Sequence, residues 1–132
     1  VAIPAGWRLL TLDNTVSFAV PADAQSQNLK PIDSIFDIVR GQGFELIYDY
    51  GRSGEDLDVF QDQPQYTKRS RKVDGRSGHE ISFRPLQKPW GVVRILQVQN
   101  DARTLTIRIS CIDENICRFV DELFDSVALA SG

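Results

Sequence analysis

The sequence contains no methionine and a single histidine, His79. One imidazole cannot build a multi-histidine metal centre, and no serine or cysteine is placed by sequence to be activated by it. His79 therefore reads as a half-buried strand residue. Only two cysteines are present, Cys111 and Cys117. With His79 they cannot complete a four-ligand zinc site unless carboxylates fill in. No apolar run approaches the roughly 20 residues that a spanning helix needs. The net charge of -3 gives no global attraction to nucleic acid or anionic lipid. Internal repeats and low-complexity tracts are also missing. There is no glycine-rich phosphate loop, so the faint echo of a kinase motif in Asp49-Tyr50-Gly51 carries no chemistry. No cofactor motif is present.

The 132 residues suit one domain, and 42% hydrophobic with 25% charged residues is an ordinary globular balance. The first residues, Val1-Ala2-Ile3-Pro4-Ala5-Gly6, carry no initiator methionine. The expectation is either a removed signal peptide, with a lipid anchor on the removed part compatible with it, or an arbitrary boundary.

Most of the chain patterns as strands. Arg8 to Leu12 and Val16 to Val20 form a hairpin across Asp13-Asn14-Thr15, and Pro21 ends it. Residues 21–34 are polar. Ile32 to Val39 reads as one or two helical turns, capped by Asp33 or Ser34. From Phe44 to Tyr50 the alternation is strict: Phe44, Leu46, Tyr48 and Tyr50 share one face, and Glu45, Ile47 and Asp49 the other.

Residues 51–65 are a long acidic loop, expected to be mobile. Its carboxylates Glu55, Asp56, Asp58 and Asp62, with Asp49, have the oxygen chemistry calcium takes. They lack the spacing of a calcium loop, and a solvated acidic loop is the expected state.

After it comes a meander. Tyr66 to Asp74 is extended and very polar, and Asp74-Gly75 is a strong turn signal. His79 to Arg84 alternates, and Val92 to Gln99 pairs with Arg103 to Ile112 across residues 100–102. The basic run Lys68-Arg69-Ser70-Arg71-Lys72 would mark a nucleic-acid patch if its charges shared a face. Alternation sends Lys68, Ser70 and Lys72 one way and Arg69 and Arg71 the other, which suits a charged edge strand.

A helix is expected over 114–127. Ile116, Phe119, Val120, Leu123, Phe124 and Val127 form one stripe, and Asp113, Glu114 and Asn115 precede it with capping and acidic side chains. Cys111 and Cys117 flank the strand–helix junction. They are either a disulfide or two buried thiols, and export selects the disulfide.

The segments AGWRLL, VSFAVP, FELIYDYG, DGRSGHEISF, TLTIRISC and FVDELFDSV, in that order, resemble the Mog1/PsbP-like proteins. The pair of segments IDS (32–34) and YDYG (48–51) is also similar to small exported bacterial proteins of unknown function. The resemblance implies an α+β fold: an antiparallel sheet of five to seven strands, a long C-terminal helix on one face, and an α/β/α sandwich overall. It further implies a non-enzymatic domain that binds a protein partner in the periplasm or a comparable lumen. Residues 21–40 offer little for a second helical layer.

The candidate binding residues are Asp49, Tyr50 and Arg52 at the strand end, with Trp90 across a cleft from the 51–65 loop. Asp49 and Tyr50 point to opposite faces and straddle the sheet edge. The main expectation is an interaction surface presenting Trp90 or Tyr50. The alternative is a small-ligand or metal site, or an enzyme, in that cleft.

Overall fold

Alternating apolar side chains turn most of this chain into strand, and the strands sort into two antiparallel sheets. The computed structural model describes residues 5–12, 15–27, 35–52 and 54–129. Its elements are β1 (Arg8–Leu12), β2 (Val16–Val20), β3 (Gln25–Ser26), β4 (Ile35–Gly41), β5 (Phe44–Gly51), β6 (Thr67–Val73), β7 (Arg76–Phe83), β8 (Val92–Asn100), β9 (Arg103–Cys111), α1 (Val120–Asp125) and β10 (Ala128–Leu129). Short 3-10 turns occupy Leu57–Phe60 and Ile116–Phe119. The large sheet has seven strands in the order β3-β4-β5-β9-β8-β7-β6, and β1-β2-β10 form a second, small sheet.

Local chemistry explains the hairpins. Asp74 (φ 48°) and Gly75 (φ 81°) both take left-handed backbone, as the tight turn between β6 and β7 requires. Thr15 N donates to the Leu12 carbonyl at 3.0 Å, closing the β1–β2 turn. The basic strand β6 ends the large sheet, so its charges sit at an edge, where they oppose pairing with a second chain.

The main core lies on one face of the large sheet. Phe44, Leu46, Tyr48 and Tyr50 of β5 join Leu105, Ile107, Ile109 and Cys111 of β9 there. Val16, Phe18 and Val20 of β2, with Val120, Leu123 and Phe124 of α1, cover them. Cys111 and Cys117 form a disulfide with Cα atoms 5.7 Å apart, joining the end of β9 to the turn that leads into α1. Closing so short a loop stabilises by about 2 kcal/mol on the chain-entropy account.

Five expectations are corrected. The C-terminal helix is short: the 3-10 turn and α1 together run from Ile116 to Asp125. Asp113 caps the Ile116 amide at 2.9 Å, which sets the start later than residue 114. At the other end Ser126 Oγ donates to the Leu123 carbonyl and accepts the Ala19 amide, and the chain leaves into β10. Val127, the last residue of the stripe, is buried beyond the helix.

Ile35 to Val39, read as helical turns, is strand, because it completes the register along the open edge of β5. Residues 32–34 of that reading, including the caps Asp33 and Ser34, lie outside the described residues. The α/β/α sandwich is also replaced. Among the described residues α1 and the small sheet cover one face, and the 54–66 segment lies on part of the other. That segment buries Leu57 and packs Phe60 and Tyr66 against Ile81, Phe83, Val93 and Ile95, so it is an anchored cover instead of a free loop. Its carboxylates Glu55, Asp56, Asp58 and Asp62 stay exposed, and Asp58 reaches Lys68 at 3.7 Å.

Finally, His79 is exposed. It shares a face with Ile81 and Phe83, but the covering segment reaches only those two.

Candidate binding face

Strand β5 divides its side chains between two environments. Tyr50 points into the main core and is 3% exposed. Its Oη accepts hydrogen bonds from Asn100 Nδ2 at 3.0 Å and Thr15 Oγ1 at 3.4 Å, and the Arg103 guanidinium lies 5.3 Å from its ring centre. Alternation sets Tyr50 with the apolar residues of β5, whereas the expected interaction surface needed it exposed; burial and these partners make it a structural residue.

Asp49 points the opposite way, as the alternation requires. Phe36 of β4 and Thr106 of β9 stand directly across from it, and one step along Ile47 lies between Ile38 and Arg108. These side chains make a half-buried face on β4, β5 and β9, beside the covering segment. Arg108 stacks over Phe60 of that segment at 5.5 Å.

Among the described residues, Asp49 Oδ1 and Arg108 Nε are buried without a hydrogen-bond partner. The two residues sit diagonally on neighbouring strands, their backbone positions about 7 Å apart by sheet geometry. They form no ion pair, although Arg40 and Glu45 on the same face do, at 2.9 Å. Arg52 is exposed just beyond the end of β5.

Trp90 does not join this face. It precedes β8, whose Val92 pairs with Cys111, which in turn pairs with Phe44. Phe44 and Tyr50 are six residues apart on β5, about 20 Å along a strand. Trp90 is half-buried in the 84–91 loop, whose Leu86 is exposed. The four candidate residues thus occupy separate places: Tyr50 in the core, Asp49 on the open face, Arg52 at the rim and Trp90 at the far end. Among the described residues no group of three or more His, Cys, Asp or Glu side chains is placed to hold a metal ion.

A second cluster was missed at the sequence level. Glu80 on β7 is 4% exposed and turns towards α1. Its Oε1 accepts from Arg69 at 3.1 Å and Arg71 at 2.7 Å, and its Oε2 from Arg94 at 2.6 Å. Asp121 of α1 accepts from Arg94 at 2.6 Å and Arg71 at 3.2 Å, and Asp125 from Arg71 at 2.6 Å. Arg71 and Arg94 also flank the Phe124 ring at 5.5 and 5.6 Å. The signal was present: arginines two apart on a strand, and carboxylates four apart on a helix. Only the fold shows that they meet.

Beside the cluster lies an open groove of about 500 Å³ that includes Thr67, Ser82, Cys117 and Arg118. Burial works to lower the arginine pKa values. Hydrogen bonds to Asp125 and Asp121 for Arg71, and to Asp121 and Glu80 for Arg94, outweigh it and leave both raised. The hydrogen bond from Arg94 is the main reason that Asp121 stands below the ordinary carboxylate range.

A carboxylate with a lowered folded-state pKa stabilises the fold above the ordinary range and loses that contribution as it protonates. Below about pH 4 the urea midpoint of the wild type is therefore expected to fall more steeply than that of Asp121→Asn. Parallel curves would count against this role for Asp121.

No family model matches this chain, and no curated protein matches it in sequence. The chain does superpose on the solution structure of cyanobacterial PsbP (CyanoP) from Synechocystis sp. PCC 6803, with a TM-score of 0.69. The match covers 98% of this chain and 95% of that one. The fold is PsbP-like. With 14% sequence identity, the likeness is one of architecture. It agrees with the resemblance drawn from the order of segments in the sequence. Within this PsbP-like frame the face around Asp49 lies opposite α1, and the Glu80 cluster ties α1 to the sheet.

Proposed function

We propose that this PsbP-like chain is an exported, non-catalytic domain that binds a protein partner through the β4–β5–β9 face. One observation carries the reading. Asp49 and Arg108 have opposite charges and are half-buried next to Phe36, Ile38 and Ile47, yet neither makes an ion pair among the described residues. Incompletely partnered buried polar groups cost free energy. A partner bringing a donor to Asp49 and an acceptor to Arg108 would recover that cost while covering the apolar side chains. Aromatic and arginine side chains beside a polar rim are the usual composition of such interfaces. Export is supported by the Cys111–Cys117 disulfide, since such bonds persist in oxidising compartments. The periplasm and comparable lumenal spaces both satisfy that condition.

The test is crosslinking of the full chain in an extract of the exporting compartment, followed by affinity measurement with the recovered partner. Ile47→Arg and Asp49→Arg are each expected to weaken binding by about tenfold or more. Val59→Arg, on the outer side of the covering segment, should leave it unchanged. Equal binding by all three variants, or no partner recovered, would overturn the reading.

A second reading, a small-ligand domain, is favoured by the groove beside Glu80. Binding lost in a groove variant such as Arg118→Ala, but kept in Ile47→Arg, would select it.

A further inference from the structure

The loop between β7 and β8 is held at both ends and free at its tip. The Arg84 amide donates to the Pro64 carbonyl at 2.9 Å, and the Gly91 amide donates to the Cys111 carbonyl at 2.8 Å. A Cβ on Gly91 would lie 2.5 Å from the Ile112 carbonyl oxygen, so the base of the loop sits hard against β9 and admits no side chain there. Between these anchors Leu86 is 81% exposed, more than any other large hydrophobic residue described, and Ile112 beside the base is 46% exposed. Trp90 is half-buried at the same end.

The charge around this tip differs from that of the whole chain. No Asp or Glu occurs between Glu80 and Asp101, while Arg84 and Lys88 lie in the loop itself. Two acidic residues, Asp113 and Glu114, follow the exit of β9. Glu114 pairs with Arg84, and Asp113 caps the Ile116 amide. Lys88 and Arg118 are exposed and make no ion pair among the described residues. With Arg84, Lys88 and Arg118 against Asp113 and Glu114, the local surface is apolar with a small cationic excess on a protein whose net charge is -3.

We propose that the 84–91 loop seats this domain on an anionic lipid surface, with Leu86 entering the acyl boundary and Trp90 at headgroup level. The chemistry favours lipid over a second protein. The apolar area is a narrow projecting tip, where a protein interface would need a broad patch. An indole has an apolar body and a polar N–H suited to the water–lipid boundary, and lysine extends its ammonium past buried apolar stem atoms. Each exposed lysine or arginine near an anionic membrane strengthens partition by roughly fivefold. One leucine and one indole give weak, reversible seating, so the loop orients a domain that a second signal holds nearby. The β4–β5–β9 face is a separate surface and stays open to a partner.

The experiment uses the full chain in a Trp7→Phe background, so that Trp90 alone reports. Co-sedimentation and tryptophan emission are measured with vesicles of phosphatidylcholine alone and with phosphatidylglycerol added. Sedimentation with the anionic vesicles, a blue-shifted emission and quenching by brominated acyl chains are expected. Leu86→Ser should weaken partition by about tenfold. Absence of sedimentation, equal sedimentation with both lipids, or a Leu86→Ser variant that binds like the parent overturns the proposal.

Discussion

Replacing Glu80 with alanine is expected to lower the unfolding free energy by about 3–5 kcal/mol, the usual cost of breaking a buried ion pair from one side. The carboxylate is 4% exposed and faces three guanidinium groups, two of which, on Arg71 and Arg94, are themselves largely buried. Its removal leaves those arginines with Asp121 and Asp125, whose side chains are 58% and 62% exposed and therefore well screened. Two cationic groups would then sit in a half-dry site with too little negative charge. Against a total stability of about 5–15 kcal/mol this is a large fraction. Chemical denaturation followed by circular dichroism gives the number. A loss below about 1 kcal/mol would show that solvent reaches the site and that the cluster is a surface network. A triple replacement of Glu80, Arg71 and Arg94 by leucine and methionine side chains is expected to recover much of the loss, since the penalty comes from unpaired charge and not from missing attraction.

Truncating Phe124 to alanine is expected to cost a similar amount, about 3–5 kcal/mol, for a different reason. The ring is 1% exposed and forms part of the stripe that α1 lays on the sheet. Alanine leaves a cavity that strands on both sides cannot close, because they are fixed by their ladders. It also removes the ring over which Arg71 and Arg94 lie. Phe124→Leu keeps most of the volume and should cost clearly less. The two largest effects are therefore coupled through shared arginines. The double variant Glu80→Ala, Phe124→Ala should lose less than the sum of the singles, and strict additivity would argue against the coupling. Thermal or denaturant unfolding of the four species measures it.

Much of the fold was legible in the chain. Period-two alternation in β5 and β9 gave both the strands and the face each side chain takes, because a pleated strand has no other way to place them. That includes Tyr50 inside and Asp49 outside. Asp74-Gly75 identified a hairpin because few residues accept two successive left-handed conformations. The apolar stripe from Ile116 to Val127 identified what covers the sheet, since six such side chains cannot be left in water. Cys111 and Cys117 were narrowed to two states, a disulfide or two buried thiols, by the shortage of further metal ligands and by their places at the strand–helix junction.

The remainder depended on long-range contacts. Ile35 to Val39 contains too few residues for its pattern to separate a helical turn from a strand, and the unpaired edge of β5 made the choice. Asp113 and Ser126 shortened the helix through hydrogen bonds to amides and carbonyls that the stripe does not encode. Residues 51–65 looked like a free acidic loop because carboxylates dominate them, while Leu57, Phe60 and Tyr66 are spaced too irregularly to show a face. They became a cover only when β7 and β8 brought Ile81, Phe83, Val93 and Ile95 together beneath them. The Glu80 cluster and the Asp49–Arg108 face are both of this kind. Strand and helix periodicity act over a few residues, and the sequence by itself determined what they control: which side chains share a face. Charge pairing acts across space between segments as far as 54 positions apart, Arg71 and Asp125 being the example. Which charges meet and which stay unpaired was decided by strand order and register, and therefore by the tertiary structure alone.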